Sequence, residues 1–311
     1  MGTRDGAGPF KPHRREGACP HFGQRETAVR WTLRVCAMIS VVALFLMVFF
    51  LIRESLPAWK ESGVANVFTS EWNPDRGRYG ILIFLVGTLS VSVGALFIGT
   101  PLAIATAVYL HAYAGPSWKR VIGRGIEVLA GIPSIILGWL GFTTLVPLFR
   151  RVAGGTGMGI LPSSVVLAVM IIPTVASIAR DSLDAVPDTY AEASLSMGAT
   201  RWQTLRRVVI PAAWPGIAMA VILGLGRALG ETMAVAMVIG PATAFPRDLL
   251  TPTHTLTTKI MMEMGESTGV HRSSLFAMAL ILLFLSMLLI WLVRWLSNRA
   301  TRDMSKGSYF C

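Results

Sequence analysis

Charge is scarce in this chain, and that scarcity constrains its class before any motif is read. Only 14% of the 311 residues are Asp, Glu, Lys or Arg, while 53% are hydrophobic, too little polar surface for an ordinary soluble domain. Acid is the rarer sign, with 17 Asp and Glu against 28 Lys and Arg, for a formal charge of +11. A nucleic-acid reader gathers such basic residues on one soluble face. Here they are scattered between apolar segments, so no nucleic-acid partner is expected. Cysteine is almost absent: Cys19, Cys36 and Cys311 are odd in number and far apart, which specifies neither a disulfide framework nor a metal site. No GxxxxGK[ST] phosphate loop occurs, so the chain does not hydrolyse nucleotide by that route, and any energy from ATP must come from another subunit. The glycines of AGGTGMG at 153–159 have the wrong spacing for a dinucleotide fingerprint and follow no strand, and the segment reads as a flexible linker. No catalytic residue, metal or cofactor is expected.

What the chain does have is apolar length. Six stretches are long enough to cross the roughly 30 Å hydrocarbon core: approximately Val35–Ile52, Ile81–Leu110, Ile126–Leu148, Ile160–Ile178, Trp214–Ile239 and Leu275–Val293. The first follows a tail with seven Lys and Arg but shows no small-residue cleavage pattern, so it is expected to be a retained span and not a signal peptide. The tails and connections on one side carry 18 of the 28 basic residues, and those on the other carry 9. Positive charge stays preferentially in the cytoplasm, so both termini are expected there. The expected organisation is an all-α integral membrane protein in contact with membrane lipid. It has an N-terminal tail over 1–34, a six-helix transmembrane domain over 35–298 and a C-terminal tail over 299–311.

Proline punctuates the spans. Thr100-Pro101, Gly131-Ile132-Pro133-Ser134, Ile172-Pro173-Thr174 and Pro211 to Pro215-Gly216 all fall in or beside apolar runs, and each proline removes a backbone donor. Taken singly, each is as well read as a packing kink; four together point to broken helices lining a transport path. In the connection from Pro241 to Arg272, Leu256, Ile260, Met261 and Met264 recur at helical spacing, which predicts a short amphipathic helix at the outer surface, packed on the spans or serving a partner.

Between the fourth and fifth spans the spacing predicts two short helices over about 187–210. The first starts near Pro187, which suits a helix's first turn, and carries Tyr190, Glu192 and Ala193. Gly198 supplies the turn. Thr200 and Gln203 have the spacing of a capping box for the second helix, expected to end at Pro211. Arg201, Trp202, Arg206 and Arg207 decorate it, as an interfacial helix meeting anionic lipid would require, or as a docking knob would.

Here the sequence resembles a known family. Glu192-Ala193-Ser194, Gly198 and Val208-x-Ile210-Pro211 resemble the EAA signature of ABC-transporter permeases, with Ser194, Val208 and Ile210 in place of Ala, Ile and Leu. The resemblance implies a type I ABC importer permease fold in which this hairpin is the coupling helix. Glu192, Ala193, Gly198, Arg201 and Trp202 then contact a cytoplasmic ATPase. Gly224-LGRALGETMA-Val235, Leu129-AGIP-Ser134 and Gly99-TPL-Ala103 resemble the phosphate-specific (Pst) permeases, nearest the PstC type of subunit. That similarity covers about Val35 to Val293. It implies a permease of the bacterial inner membrane, paired with a second Pst-type permease and served by two ATPase subunits and an external phosphate-binding protein.

The same motif places Arg227 and Glu231 inside the fifth apolar run. Charges there cost roughly 2.5–3.5 kcal/mol each on insertion scales, so they face a polar cavity or each other. On a helix the two lie four residues apart and can meet, which leaves two readings open: an ion pair that neutralises itself, or a point on an anion path. Guanidinium binds oxyanions through parallel hydrogen bonds and keeps its charge. Glu231 can accept the proton that phosphate carries near neutral pH and sulfate lacks. Gly226 and Gly230 form a small-residue stripe expected to admit a neighbouring backbone. Glu127, near the start of the third span, is expected to be structural. Another oxyanion such as sulfate or molybdate remains an alternative substrate, and a carrier driven by an ion gradient a more distant one.

Overall fold

The computed structural model describes residues 20–67 and 69–307, and these are almost wholly helical. Residues 1–19 of the expected N-terminal tail and 308–311 of the C-terminal tail lie outside the described residues, as do Cys19 and Cys311. The chain divides into two units, 1–50 and 51–311. In the first, the described residues belong to α1 (Pro20–Val67), whose apolar side chains, among them Leu44, Phe45, Phe49 and Phe50, are exposed, as a lipid-facing span requires.

In the second unit a two-stranded ribbon, β1 (Trp72–Asn73) against β2 (Arg78–Tyr79), precedes α2 (Leu82–Ala112). There follow α3 (Pro116–Gly131), α4 (Ser134–Leu140), α5 (Val146–Ala153) and α6 (Ile160–Asp184). After them come α7 (Asp188–Ser196), α8 (Arg201–Thr204), α9 (Ile210–Gly230), α10 (Met233–Ile239), α11 (Leu256–Glu263) and α12 (Gly269–Gly307). Six helical runs among the described residues are long and apolar enough to cross a membrane.

The centre of the packing is α6, held between α2 and α9. Its contacts are built from small side chains: Ala103 and Ala107 of α2, Ala176 and Ala179 of α6, and Ala213 and Ala220 of α9 are all buried together. In lipid, where burying apolar surface gains little, close backbone approach of this kind supplies the packing. Val91, Leu167, Ile171, Ala228, Val235 and Ile239 continue the same seam into α10. Helices α4 and α10 pack so tightly that a Cβ on Gly138 would stand 2.6 Å from the Cα of Ala234.

Proline turns out to be a poor guide to the breaks. Pro101, Pro173 and Pro215 lie inside the continuous helices α2, α6 and α9. Pro211 does not end the hairpin's second helix as expected. A π-helical turn, Leu205–Val209, joins α8 to α9, and Pro211 falls in the first turn of α9 without interrupting the run. Only Pro133 marks a true break: Ile132 is extended, with φ −69° and ψ 128°, as a residue before proline prefers. The third span therefore runs Ser134–Ala153, later than the expected Ile126–Leu148, and contains a second π-helical turn at Gly141–Leu145. The other break carries no proline and falls within the expected fifth span, at Glu231 and Thr232 between α9 and α10.

The segment 153–159 is a packed turn and not a loose linker. Arg150 donates twice to the Thr156 carbonyl at 3.1 Å. Gly157 (φ 73°) sits where a Cβ would be 2.2 Å from the Val146 carbonyl oxygen.

Candidate functional site

Two places in the second unit gather the residues singled out by sequence. The first is the α7–α8 hairpin. Gly198 turns it with φ +84°, a left-handed conformation that side chains disfavour. Thr200 accepts from the Gln203 amide at 3.3 Å, and the Gln203 side chain accepts from the Thr200 amide at 2.8 Å, completing the expected capping box. The hydroxyls of Ser194 and Thr204, both buried, share a 3.0 Å hydrogen bond that ties the two helices together. Ser194 is the residue that departs from the signature's Ala, and here it supplies a fastening that Ala lacks. Leu205 and Val209 anchor the base of the hairpin in the α2–α6–α9 core. Glu192, Ala193, Gly198, Arg201 and Trp202 are all left exposed, beside Tyr190, Leu195 and Met197, the last 84% exposed. An apolar patch presented by a rigid, capped hairpin has the character of a docking face.

The second place is the break between α9 and α10. Helix α9 stops at Gly230, and Glu231 is extended (φ −72°, ψ 124°), so Arg227 and Glu231 do not share a helix face and the intrahelical ion pair is not made. The Glu231 carboxylate turns forward to cap the next half-helix, accepting from the Ala234 amide at 3.3 Å through Oε1, where a negative group meets unpaired amides. Arg227 reaches across to α6 instead, donating from Nη1 to the Thr174 hydroxyl at 3.2 Å. It forms no salt bridge among the described residues. Thr257 of α11 donates to the Glu231 carbonyl at 3.3 Å, fastening the break from the other side. Neither Thr174 nor Thr257 carries a sequence signal of its own beyond the proline that precedes Thr174.

The remaining expectations fare unequally. A Cβ at Gly226 or Gly230 would meet nothing within 4 Å, so among the described residues no other helix packs on the stripe they form; the close contact falls at Gly224, where a Cβ would stand 2.6 Å from the Val175 side chain. Glu127 is exposed on α3 and makes no ion pair among the described residues, so it is not an acid of the apolar interior. The short helix at 256–264 forms as α11, with a capping box at Thr255 and Thr258. It is inserted more deeply than a surface helix: Leu256, Thr258 and Lys259 are buried, and the Leu256 amide donates to the Thr88 hydroxyl of α2 at 2.9 Å.

Lys259 is held by Glu263 at 2.5 Å and by the rings of Trp72 and Phe84, each 5.5 Å away, while His271 meets Glu263 at 3.0 Å. Burial works to raise the Glu263 pKa, but its bonds to Lys259 and His271 outweigh that and hold the carboxyl below its ordinary value. Burial, followed by the charge of Lys259, holds the His254 imidazole below its own.

Comparison with known proteins agrees with this architecture. Residues 99–302 match the family described as binding-protein-dependent transport system inner membrane component. The chain is 40% identical over 283 residues to a probable ABC transporter permease protein, YqgH, of Bacillus subtilis, covering 88% of this chain and 91% of that protein. It is 34% identical over 295 residues to the phosphate transport system permease protein PstC of Pasteurella multocida, covering 88% and 92% of the two chains. A crystal structure of a bacterial alginate ABC transporter shares the fold, with a TM-score of 0.65 at 14% identity over 89% of this chain and 97% of that one. The chain belongs to the binding-protein-dependent transport system inner membrane components: it is a multi-pass permease subunit of an ABC importer and not an enzyme, and it works with another permease, ATPases and a substrate-binding protein.

Proposed function

We propose that this permease carries phosphate across the bacterial inner membrane, paired with a second Pst-type permease, two ATPase subunits and an external phosphate-binding protein. The observation that carries this reading is Arg227, a cation inside a spanning segment that bonds a neutral hydroxyl and has no carboxylate partner among the described residues. A guanidinium inside a spanning segment without a counter-ion is costly unless something else satisfies it, and a transported oxyanion does so with two parallel hydrogen bonds. Arg227 lies three residues before the break that ends α9 at Gly230, and broken helices of this kind mark the substrate sites of transporters. Relatives named as phosphate permeases, such as that of Pasteurella multocida, favour phosphate over other oxyanions.

In this reading both termini lie in the cytoplasm, the six-helix domain spans 35–298, and the α7–α8 hairpin over about 187–210 is the coupling element. Glu192, Ala193, Gly198, Arg201 and Trp202 seat against an ATPase. Movement there passes through the π-helical turn at Leu205–Val209 into α9 and so to Arg227. Glu231 keeps Oε2 without a partner among the described residues while Oε1 caps α10, so it can accept a hydrogen bond from protonated phosphate but not from sulfate. The test is phosphate uptake by the reconstituted complex with sulfate as competitor, in Arg227→Ala, Arg227→Lys and Glu231→Gln. Loss of uptake in Arg227→Ala at normal complex abundance, with sulfate failing to compete in the parent, is expected. Unimpaired uptake in Arg227→Ala sinks the proposal, and efficient competition by sulfate moves the substrate to another oxyanion.

A further inference from the structure

We infer that Thr174 is a second donor to the transported oxyanion and the residue that orients Arg227 toward it; this rests on the reading of Arg227 as a point on the anion path. Hydroxyls inside apolar helices usually give their proton to the carbonyl one turn back, and several in this chain do so. Thr88 donates to Phe84 at 2.7 Å, Thr106 to Leu102 at 2.8 Å, Ser163 to Gly159 at 2.8 Å and Ser182 to Ile178 at 2.7 Å. Thr174 does not. Its Oγ1 accepts from Arg227 Nη1 at 3.2 Å, and its proton has no acceptor among the described residues. A hydroxyl has one donor and two acceptor positions, so Thr174 holds the guanidinium with an acceptor and keeps its donor available.

The surroundings make this arrangement firm. Val175, the next residue on α6, is fully buried and lies 2.6 Å from where a Cβ on Gly224 would stand. The close approach of α6 and α9 that glycine permits brings Thr174 within reach of a side chain 53 residues away in sequence. Both Thr174 and Arg227 are only partly buried, which leaves them a free side. Glu231, the one acid in the same apolar run, is occupied in capping α10. The guanidinium has five donors, and the single bond to Thr174 leaves the others for an anion. Guanidinium and hydroxyl then present adjacent donors to one oxyanion: the first supplies charge, the second fixes orientation without adding charge that would trap the substrate.

The test uses the complete complex, with the second permease, the ATPases and the binding protein, in proteoliposomes supplied with inorganic phosphate. Thr174→Val keeps the shape and removes the hydroxyl; Thr174→Ser keeps the hydroxyl. In Thr174→Val the maximal uptake rate is expected to fall at least tenfold at unchanged complex abundance, and ATPase activity stimulated by the loaded binding protein is expected to persist. The apparent KM should stay near the parent value, because a separate binding protein captures phosphate from solution. Thr174→Ser should lie within about threefold of the parent, the loss of one hydrogen bond being worth about tenfold. Should the valine variant fail to accumulate, Thr174→Ala takes its place. Equal damage from Val and Ser would make the role one of packing and overturn the inference. Full uptake in Thr174→Val while Arg227→Ala is inactive would overturn it and leave the Arg227 reading standing. Full uptake in both variants would remove the Arg227 reading and this inference with it.

Discussion

The α7–α8 hairpin and the α9–α10 break lie at the two ends of one helical run and are held in opposite ways. The hairpin is fixed by contacts between near neighbours: Gly198 makes the turn, Thr200 and Gln203 cap each other, and Ser194 bonds Thr204 ten residues on. The break is fixed by distant parts of the chain, with Thr174 of α6 on Arg227 and Thr257 of α11 on the Glu231 carbonyl. A coupling element has to keep its shape when a partner pushes on it, and local capping provides that. A point on a transport path has to change its surroundings between states, and bonds between separate helices can be exchanged as those helices slide.

The largest expected effect lies at the break. Arg227→Ala should reduce phosphate uptake by a factor of a hundred or more, about 2.7 kcal/mol, with Arg227→Lys recovering only part because a point charge lacks the planar fork. Uptake per assembled complex is the measurement, and an Arg227→Lys variant equal to the parent would show that charge alone matters there. At the hairpin, Trp202→Ala should weaken ATPase association about tenfold, or ~1.4 kcal/mol, while leaving the spans intact. Co-purification of the ATPase over a concentration series checks it. Undiminished association would assign the exposed Trp202 to lipid.

An effect of comparable size is expected in the packing behind the break. Gly138→Ala drives a methyl to 2.6 Å from Ala234 Cα and should cost about 1–3 kcal/mol of stability, seen as a lower Tm in detergent. Gly226→Ala, which meets nothing within 4 Å in this chain, should be silent in the isolated subunit; a loss that appears only in the complex would place the partner permease against that stripe.

The smallest effects come from caps and protons. Thr200→Ala removes half of the capping box and should cost about 1 kcal/mol. Glu263, held below its ordinary pKa by Lys259 and His271 against the opposing effect of burial, stabilises the fold above the ordinary carboxylate value, and that stabilisation is lost as pH falls through the depressed one. His254 is also depressed, by burial first and then by Lys259. The unfolded chain therefore takes up that proton first, and stability falls further as pH drops below the ordinary histidine value. Tm should decline from about pH 7 to pH 4, and Glu263→Gln should flatten the acid end of that decline.

Composition and periodicity by themselves determined the membrane class, the six apolar runs and the hairpin. Each of these rests on interactions within one or two helical turns: apolar length, a glycine at a turn, a threonine three residues before a glutamine. The α11 helix was legible for the same reason, but its depth was not, because burial of Lys259 depends on Trp72 and Phe84 arriving from elsewhere. The prolines misled in the opposite sense. Pro101, Pro173 and Pro215 stay within helices that pack along their length as α2, α6 and α9, and that packing cannot be seen along the sequence. Only the tertiary structure decided that Arg227 pairs with Thr174 and not with Glu231. A four-residue spacing brings two charges together only while the helix continues, and whether it continued past Gly230 was set by the packing of α10 on α4 and α6 and by the bond from Thr257.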